Sequence, residues 1–229
     1  RQRYRMAQKE NNLAQIERLI SPGRLMSIGS GSGEELEFAS SRGWTVEGND
    51  VDPVTTARVA KRLGVHVHSG DLFALHWESD AYDCVYLDQV LEHVKKPRDY
   101  LHLCHRVLKP GGVLYIGVPN IRSLSASLKS ILGKLGLKRP RGKHYDTWHH
   151  VLYFSPGTLP TLLERHYGFC VAVVQGDPKP NVSGSWPASV RAVLGRRLPQ
   201  HASSFPEPAR AKHALREPYG RDHRRRCDT

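Results

Sequence analysis

The sequence of 229 residues predicts an α/β fold with a doubly wound, mostly parallel sheet. Three observations carry that prediction. Short apolar runs alternate with helical segments from residue 25 to about residue 118, the turn Gly29-Ser30-Gly31-Ser32-Gly33 joins the first run to a helix, and acidic residues close the strands that follow. A strand, a glycine turn and a helix start, in that order, form the place where open α/β sheets hold nucleotide-like ligands.

Taken in order, Leu13, Ile16, Leu19 and Ile20 recur at helical spacing, and Ser21-Pro22-Gly23 stops that N-terminal helix, giving a segment 1–21 ahead of the sheet. Leu25 to Ile28 reads as the first strand, followed by a helix from Glu34. Trp44 to Asn49 leads into a helix over Pro53 to Leu63, with Asp52 as its cap, and Val65 to His68 makes a third strand. Tyr82 to Leu87 is the fourth, Pro97 to Leu108 a helix, and Val113 to Val118 the fifth strand after the turn Lys109-Pro110-Gly111-Gly112.

Residues 121–137 break this rhythm. Ile121, Leu124, Leu128, Ile131, Leu132 and Leu135 lie at helical spacing with lysines between them, a pattern that fits a core helix, a lid over an apolar acceptor or peripheral contact with a membrane surface. The interruption favours an acceptor-side insertion over 121–154, including the polar and aromatic cluster His144, Tyr145, Asp146, Trp148, His149 and His150. Ser155-Pro156 suits the start of a helix to His166, and Gly168 to Gln175 reads as the final strand, closing a domain over 22–176.

The formal net charge is +12, half of it beyond residue 176, where eleven Lys/Arg face five Asp/Glu. That stretch, 177–229, also holds seven of the fifteen prolines and reads as a basic, solvated extension. No aromatic residues interleave with its basic ones in the manner used to stack bases, so nucleic acid is not the expected partner. Four scattered cysteines, without metal-ligand spacing, predict free thiols and a cytoplasmic setting. No apolar run approaches the roughly 20 residues of a membrane span, and the absence of an initiator Met reads as trimming.

The chemistry-bearing residues gather at strand ends. Asp50 follows the second strand by one position, where a carboxylate accepts both hydroxyls of a ribose, and Val51 adjoins it. After the third strand come Gly70-Asp71-Leu72, with Asp71 placed to accept from an exocyclic amine and Leu72 or Phe73 to cover an adenine face. The fourth strand runs into Asp88-Gln89-Val90-Leu91-Glu92-His93.

Together, Gly29-x-Gly31-x-Gly33, Asp50, Gly70-Asp71-Leu72, Leu91-Glu92-His93-Val94 and Leu108-Lys109-Pro110-Gly111-Gly112 resemble the class I S-adenosylmethionine-dependent methyltransferases. Within them the chain looks most similar to the small-molecule branch that includes ubiquinone O-methyltransferases; His150-Val151-Leu152-Tyr153-Phe154-Ser155-Pro156 resembles a downstream block of that branch. The resemblance implies a Rossmann-like, seven-stranded sheet whose last strand is antiparallel. It also implies that Gly29, Ser30, Gly31 and Gly33 hold the methionine part of S-adenosylmethionine, Asp50 the ribose, and Asp71 and Leu72 the adenine, with Asp88, Gln89 and His93 beside the sulfonium. One position departs from the family pattern: Ser27 stands where an acidic residue usually precedes the first glycine by two, with Glu34 or Asp88 as candidate replacements.

The implied reaction is an in-line methyl displacement by a small-molecule acceptor, in which the protein aligns the reacting atoms and a base takes the proton of an oxygen nucleophile. His93 is the first candidate for that base and His150 the second. Gln89, three before Glu92, replaces the carboxylate that a metal site there would use. A nicotinamide dehydrogenase fits less well, because Glu34 occupies the small-residue position of its glycine fingerprint. An inactive scaffold of the same fold and an RNA methyltransferase using the basic tail are the other readings.

Overall fold

The computed structural model describes residues 2–119, 152, 154–155, 157–176 and 189–196. Alternating apolar side chains bury both faces of a seven-stranded sheet, as the near-continuous apolar strands require. The strands are β1 (Arg24–Ile28), β2 (Thr45–Asp50), β3 (His66–Ser69), β4 (Tyr82–Asp88), β5 (Leu108–Pro119), β6 (Phe169–Gly176) and β7 (Ser189–Arg196), in the spatial order 3-2-1-4-5-7-6. Strands β1 to β5 pair in parallel, and β7 runs antiparallel to both β5 and β6.

On one face, α1 (Gln2–Glu17), α2 (Glu34–Ser41) and α3 (Pro53–Leu63) contribute Leu13, Ile16, Leu36, Ala39 and Val59 against Leu25, Cys84, Tyr86 and Tyr115. On the other, α4 (Pro97–Val107) and α5 (Thr158–His166) pack Leu101, Cys104, Val107, Leu159 and Leu163 on Met26, Val85, Leu87 and Ile116. Strand alternation assigns neighbouring residues such as Leu25 and Met26, or Cys84 and Val85, to opposite layers.

Local signals explain the helix starts. Asp52 accepts from the Val54 N–H at 3.0 Å and Pro53 opens α3. Before α5, the Ser155 hydroxyl accepts from the Thr158 N–H at 3.2 Å while the Ser155 N–H donates to the Thr158 hydroxyl at 2.9 Å, a reciprocal cap.

Two expectations change. The sheet does not end at Gln175: β7 lies beyond residue 176, inserted between β5 and β6, with Ala192, Val193 and Leu194 buried. The high charge and proline content of 177–229 conceals one short apolar run, Ala192 to Leu194, whose burial comes from two partner strands rather than from its own composition. Cys84 and Cys104 are free and buried, whereas Cys170 is disulfide-bonded, against the expectation of thiols throughout. The 121–137 stretch, most of the 121–154 insertion, and His150 lie outside the described residues. Among the described residues no helix is long and apolar enough to cross a membrane.

Candidate functional site

The glycine turn sits where β1 meets α2, at the carboxyl edge of the sheet. Its backbone is stitched to the end of β2: the N–H groups of Gly29 and Ser30 both donate to the Asn49 carbonyl, at 2.8 and 3.0 Å. Gly29, Gly31 and Gly33 all adopt the left-handed conformation, with φ of 69°, 48° and 73°. Their surroundings differ in a way that separates scaffold from cradle. A Cβ on Gly29 would meet Val90 Cγ2 at 2.4 Å and one on Gly33 would meet Val59 Cγ1 at 2.5 Å, but a Cβ on Gly31 would meet nothing within 4 Å. Gly31 is thus the point at which the backbone faces open space. We expect Gly29→Ala to cost about 2 kcal/mol or more of stability, from the left-handed backbone and the overlap with Val90. Gly31→Ala should cost only about 1 kcal/mol of stability while weakening S-adenosylmethionine binding, and paired thermal unfolding and calorimetric titration would separate the two effects.

Asp50 bridges this turn to the next. One carboxylate oxygen accepts from the Gly31 N–H at 2.8 Å and the other from the Asp52 N–H at 3.1 Å, so the side chain is already aimed at the glycine cradle. Val51 beside it is 75% exposed. Buried Asn49 carries the order on to β3, donating to the carbonyls of His68 and Gly70 at 3.5 and 3.3 Å.

At the end of β3, Asp71 accepts from the Phe73 N–H at 3.0 Å and so caps a short 3-10 turn over Leu72–Ala74. The turn sends Leu72 inward, where it is 2% exposed, and leaves Phe73 46% exposed with Tyr100 edge-on at 5.0 Å. Of the two apolar candidates, Phe73 is therefore the one presenting a face. The Leu72 side chain belongs to the core, because a three-residue turn places successive side chains on different sides.

The end of β4 supplies the charge. Asp88 lies in room made by Gly117, on which a Cβ would come within 2.0 Å of Asp88 Oδ1. Its Oδ2 accepts from Lys9 Nζ at 2.9 Å, and Lys9 also lies 3.5 Å from Glu35 Oε2. Glu35 in turn accepts from the Ser27 hydroxyl at 2.7 Å. At Ser27 it is Glu35, in the first turn of α2, and neither Glu34 nor Asp88, that reaches the serine. Burial pushes the Glu35 carboxyl above its ordinary range, against the opposing pull of Lys9 and Ser27. For Lys9, the cost of burial is outweighed by Glu35 and Asp88, which raise its pKa.

Just beyond, Gln89 holds φ of 57°, unusual for a residue with a side chain, while its N–H donates to the Gly117 carbonyl at 2.8 Å. His93 is 40% exposed at its side chain, with Nε2 3.9 Å from Glu92 Oε1. Glu92 is fully buried, and neither of its carboxyl oxygens has a hydrogen-bond partner among the described residues. Burial, with the charge of Asp88 adding to it, pushes its carboxyl up to about 7.

The structure therefore brings Gly29, Ser30, Gly31, Gly33, Asp50, Val51, Asp71, Asp88, Gln89 and His93 to one edge of the sheet. It adds three residues that the sequence reading did not place in the site: Lys9, Glu35 and Glu92. Glu35 had a readable signal, a second acid in the helix turn facing a serine at the family's acid position. Lys9 had none, since it reaches Asp88 across 79 residues.

These residues fit S-adenosylmethionine. The backbone is open at Gly31, and Asp50, held by the Gly31 and Asp52 N–H groups, keeps a lone pair on each oxygen for a diol. The Ser30 hydroxyl is buried without a partner among the described residues, a further polar group beside the cradle.

Comparison with known proteins agrees with the geometry. Residues 1–172 match the model of a methyltransferase domain. The mitochondrial ubiquinone biosynthesis O-methyltransferase of Mus musculus is 29% identical over 83% of this chain and 54% of its own length. The corresponding enzyme of Homo sapiens is 31% identical over 71% of this chain and 46% of its own. The chain spans about half the length of these curated relatives. Among solved structures, an S-adenosylmethionine-dependent methyltransferase from Mesorhizobium loti aligns over 81% of this chain and 96% of its own, with a TM-score of 0.61 and 19% identity. The 1,6-didemethyltoxoflavin-N1-methyltransferase of Burkholderia thailandensis, solved with S-adenosylhomocysteine bound, covers 82% of this chain and 78% of its own at a TM-score of 0.60 and 17% identity. At such identities the structures share the fold.

Proposed function

The chain belongs to the class I S-adenosylmethionine-dependent methyltransferases, and from that premise we propose that it methylates an oxygen atom of a small-molecule acceptor. The observation that carries the reading furthest is the open backbone at Gly31, with the Asp50 carboxylate hydrogen-bonded to its N–H. S-adenosylmethionine, when bound, supplies a methyl carbon made electrophilic by its sulfonium. The chain's own residues supply position and proton handling. Gly29 to Gly33 and Asp88 would hold the methionine end, Asp50 the ribose hydroxyls, and Phe73 with Val51 would flank the adenine. His93, partly exposed at the same edge, would take the acceptor's hydroxyl proton as the methyl passes from sulfur to oxygen. Glu92 stands beside the imidazole, its Oε1 3.9 Å from His93 Nε2.

Oxygen as the accepting atom is supported by the names of the curated relatives, which are O-methyltransferases of ubiquinone biosynthesis, and by the partly exposed His93 at the same sheet edge. An apolar acceptor, met through 121–137 with or without a membrane surface, rests on the amphipathic pattern of that stretch.

Asp50→Ala is expected to weaken S-adenosylmethionine binding by about 1–3 kcal/mol, roughly ten- to a hundredfold, measured by calorimetric titration. An unchanged dissociation constant would remove Asp50 from the ribose. For the acceptor, incubating the chain with cell extract and a methyl-labelled donor should place the label in small molecules as a methyl ether. Label confined to RNA or protein would overturn the small-molecule reading.

A further inference from the structure

A second constellation lies on the same sheet, away from the cradle. On adjacent strands β2 and β3, Glu47 stands directly opposite His66, and His68 follows two positions on, its side chain on the same face of the strand. Three potential donor atoms converge there. His68 Nε2 is 2.7 Å from Glu47 Oε1 and 3.2 Å from His66 Nδ1, and all three atoms lie within 4.8 Å of one another.

We propose that Glu47, His66 and His68 form a binding site for a divalent transition-metal ion of the zinc class. Two imidazoles and one carboxylate are a donor set that zinc uses, and donors about 2.0–2.1 Å from a tetrahedral ion stand about 3.3 Å apart, close to the His66–His68 separation. Calcium and magnesium prefer all-oxygen shells, so the two imidazoles select against them.

The surroundings orient the ligands. Tyr82 donates its hydroxyl to Glu47 Oε2 at 2.5 Å, which leaves Oε1 turned towards the histidines. The His68 ring is held edge-on against Trp77 at 4.9 Å. Such outer contacts fix ligand orientation before an ion arrives. Glu47 and His68 are half-buried and His66 is exposed, so an ion has a path in and room for water as a further ligand. One opposing charge is present: the Arg24 guanidinium lies 3.8 Å from Glu47 Oε2 and over the Tyr82 ring. It sits on the far oxygen and weakens the site without occupying it.

The location says what the ion does. Strand β3 is the edge of the sheet, joined only to β2, and its carboxyl end carries Gly70 and Asp71. An ion shared by Glu47 and the two histidines ties that edge to its neighbour and stabilises the folded chain by mass action.

Cobalt(II) titration of the full chain is expected to show one tight ion with the visible absorption of a four- or five-coordinate centre, displaced by zinc. His66→Gln and His68→Gln should each weaken that site by at least about tenfold. Zinc should raise the thermal midpoint of the wild type more than that of either variant. Because thirteen histidines offer weaker sites, the measurement is made below one equivalent of metal. Arg24→Gln, which removes the cation paired with Glu47 Oε2, should tighten binding. No saturable binding below about 100 µM, a tight site unchanged in both histidine variants, or an Arg24→Gln affinity no better than wild type would overturn the proposal.

Discussion

Deleting residues 177–229 is expected to abolish cooperative folding of the domain. The deletion removes β7, whose Val113↔Gly195 to Pro119↔Ser189 pairing covers β5 and whose other edge covers β6. Val193 and Leu194, essentially fully buried, are each worth about 1.5–3 kcal/mol of burial. Against a typical total stability of about 5–15 kcal/mol, losing these and leaving two strand edges unpaired removes most of the margin. A chain ending at residue 200 keeps β7 and should retain a single thermal transition by circular dichroism, as the deletion from 177 should not. Val193→Asp, which buries a charge in the same layer, should reproduce the loss at full length. If the chain ending at 176 melts cooperatively near the wild-type midpoint, β7 is an accessory strand.

Glu92→Gln is expected to make the protein more stable at alkaline pH and to flatten its pH profile. In the folded chain the carboxyl titrates near 7, raised by burial and by Asp88, while in the unfolded chain it titrates near about 4.3. Between these values the folded state keeps a proton that the unfolded state has released. The stabilisation is complete below the unfolded value and is lost as pH rises towards 7, so stability falls across that window and levels off above it. Glutamine does not ionise. Relative to wild type, the variant should gain about 2–3 kcal/mol on moving from pH 5 to pH 8, read from denaturant unfolding at the two values. A difference between the proteins that does not change with pH would show that Glu92 ionises in the fold without penalty.

The legible part of the site was the part made of local geometry. Gly29, Gly31 and Gly33 were readable because a turn with left-handed backbone demands glycine, and Asp50 and Asp71 because acids at strand ends in an alternating chain all fall on one edge. Within that edge, the inward turn of Leu72 and the outward face of Phe73 were not readable, since neighbouring residues of a short turn differ only in direction. Glu92 appeared as part of a motif, but its isolation from any hydrogen-bond partner among the described residues depends on what packs around it.

The amino-acid sequence by itself determined the α/β class, the parallel order of local strand–helix units and the glycine–acid edge. Each depends on periodicity or on contacts between residues near in sequence. Only the tertiary structure decided that a strand from the basic extension enters the sheet, that Glu35 accepts from Ser27, and that Lys9 lies between it and Asp88. It also decided that Glu47, His66 and His68 share one point on the edge strands. The physical reason is common to all four. They join residues of separate elements, and their energy comes from burial and charge pairing that exist only once strands have been placed side by side.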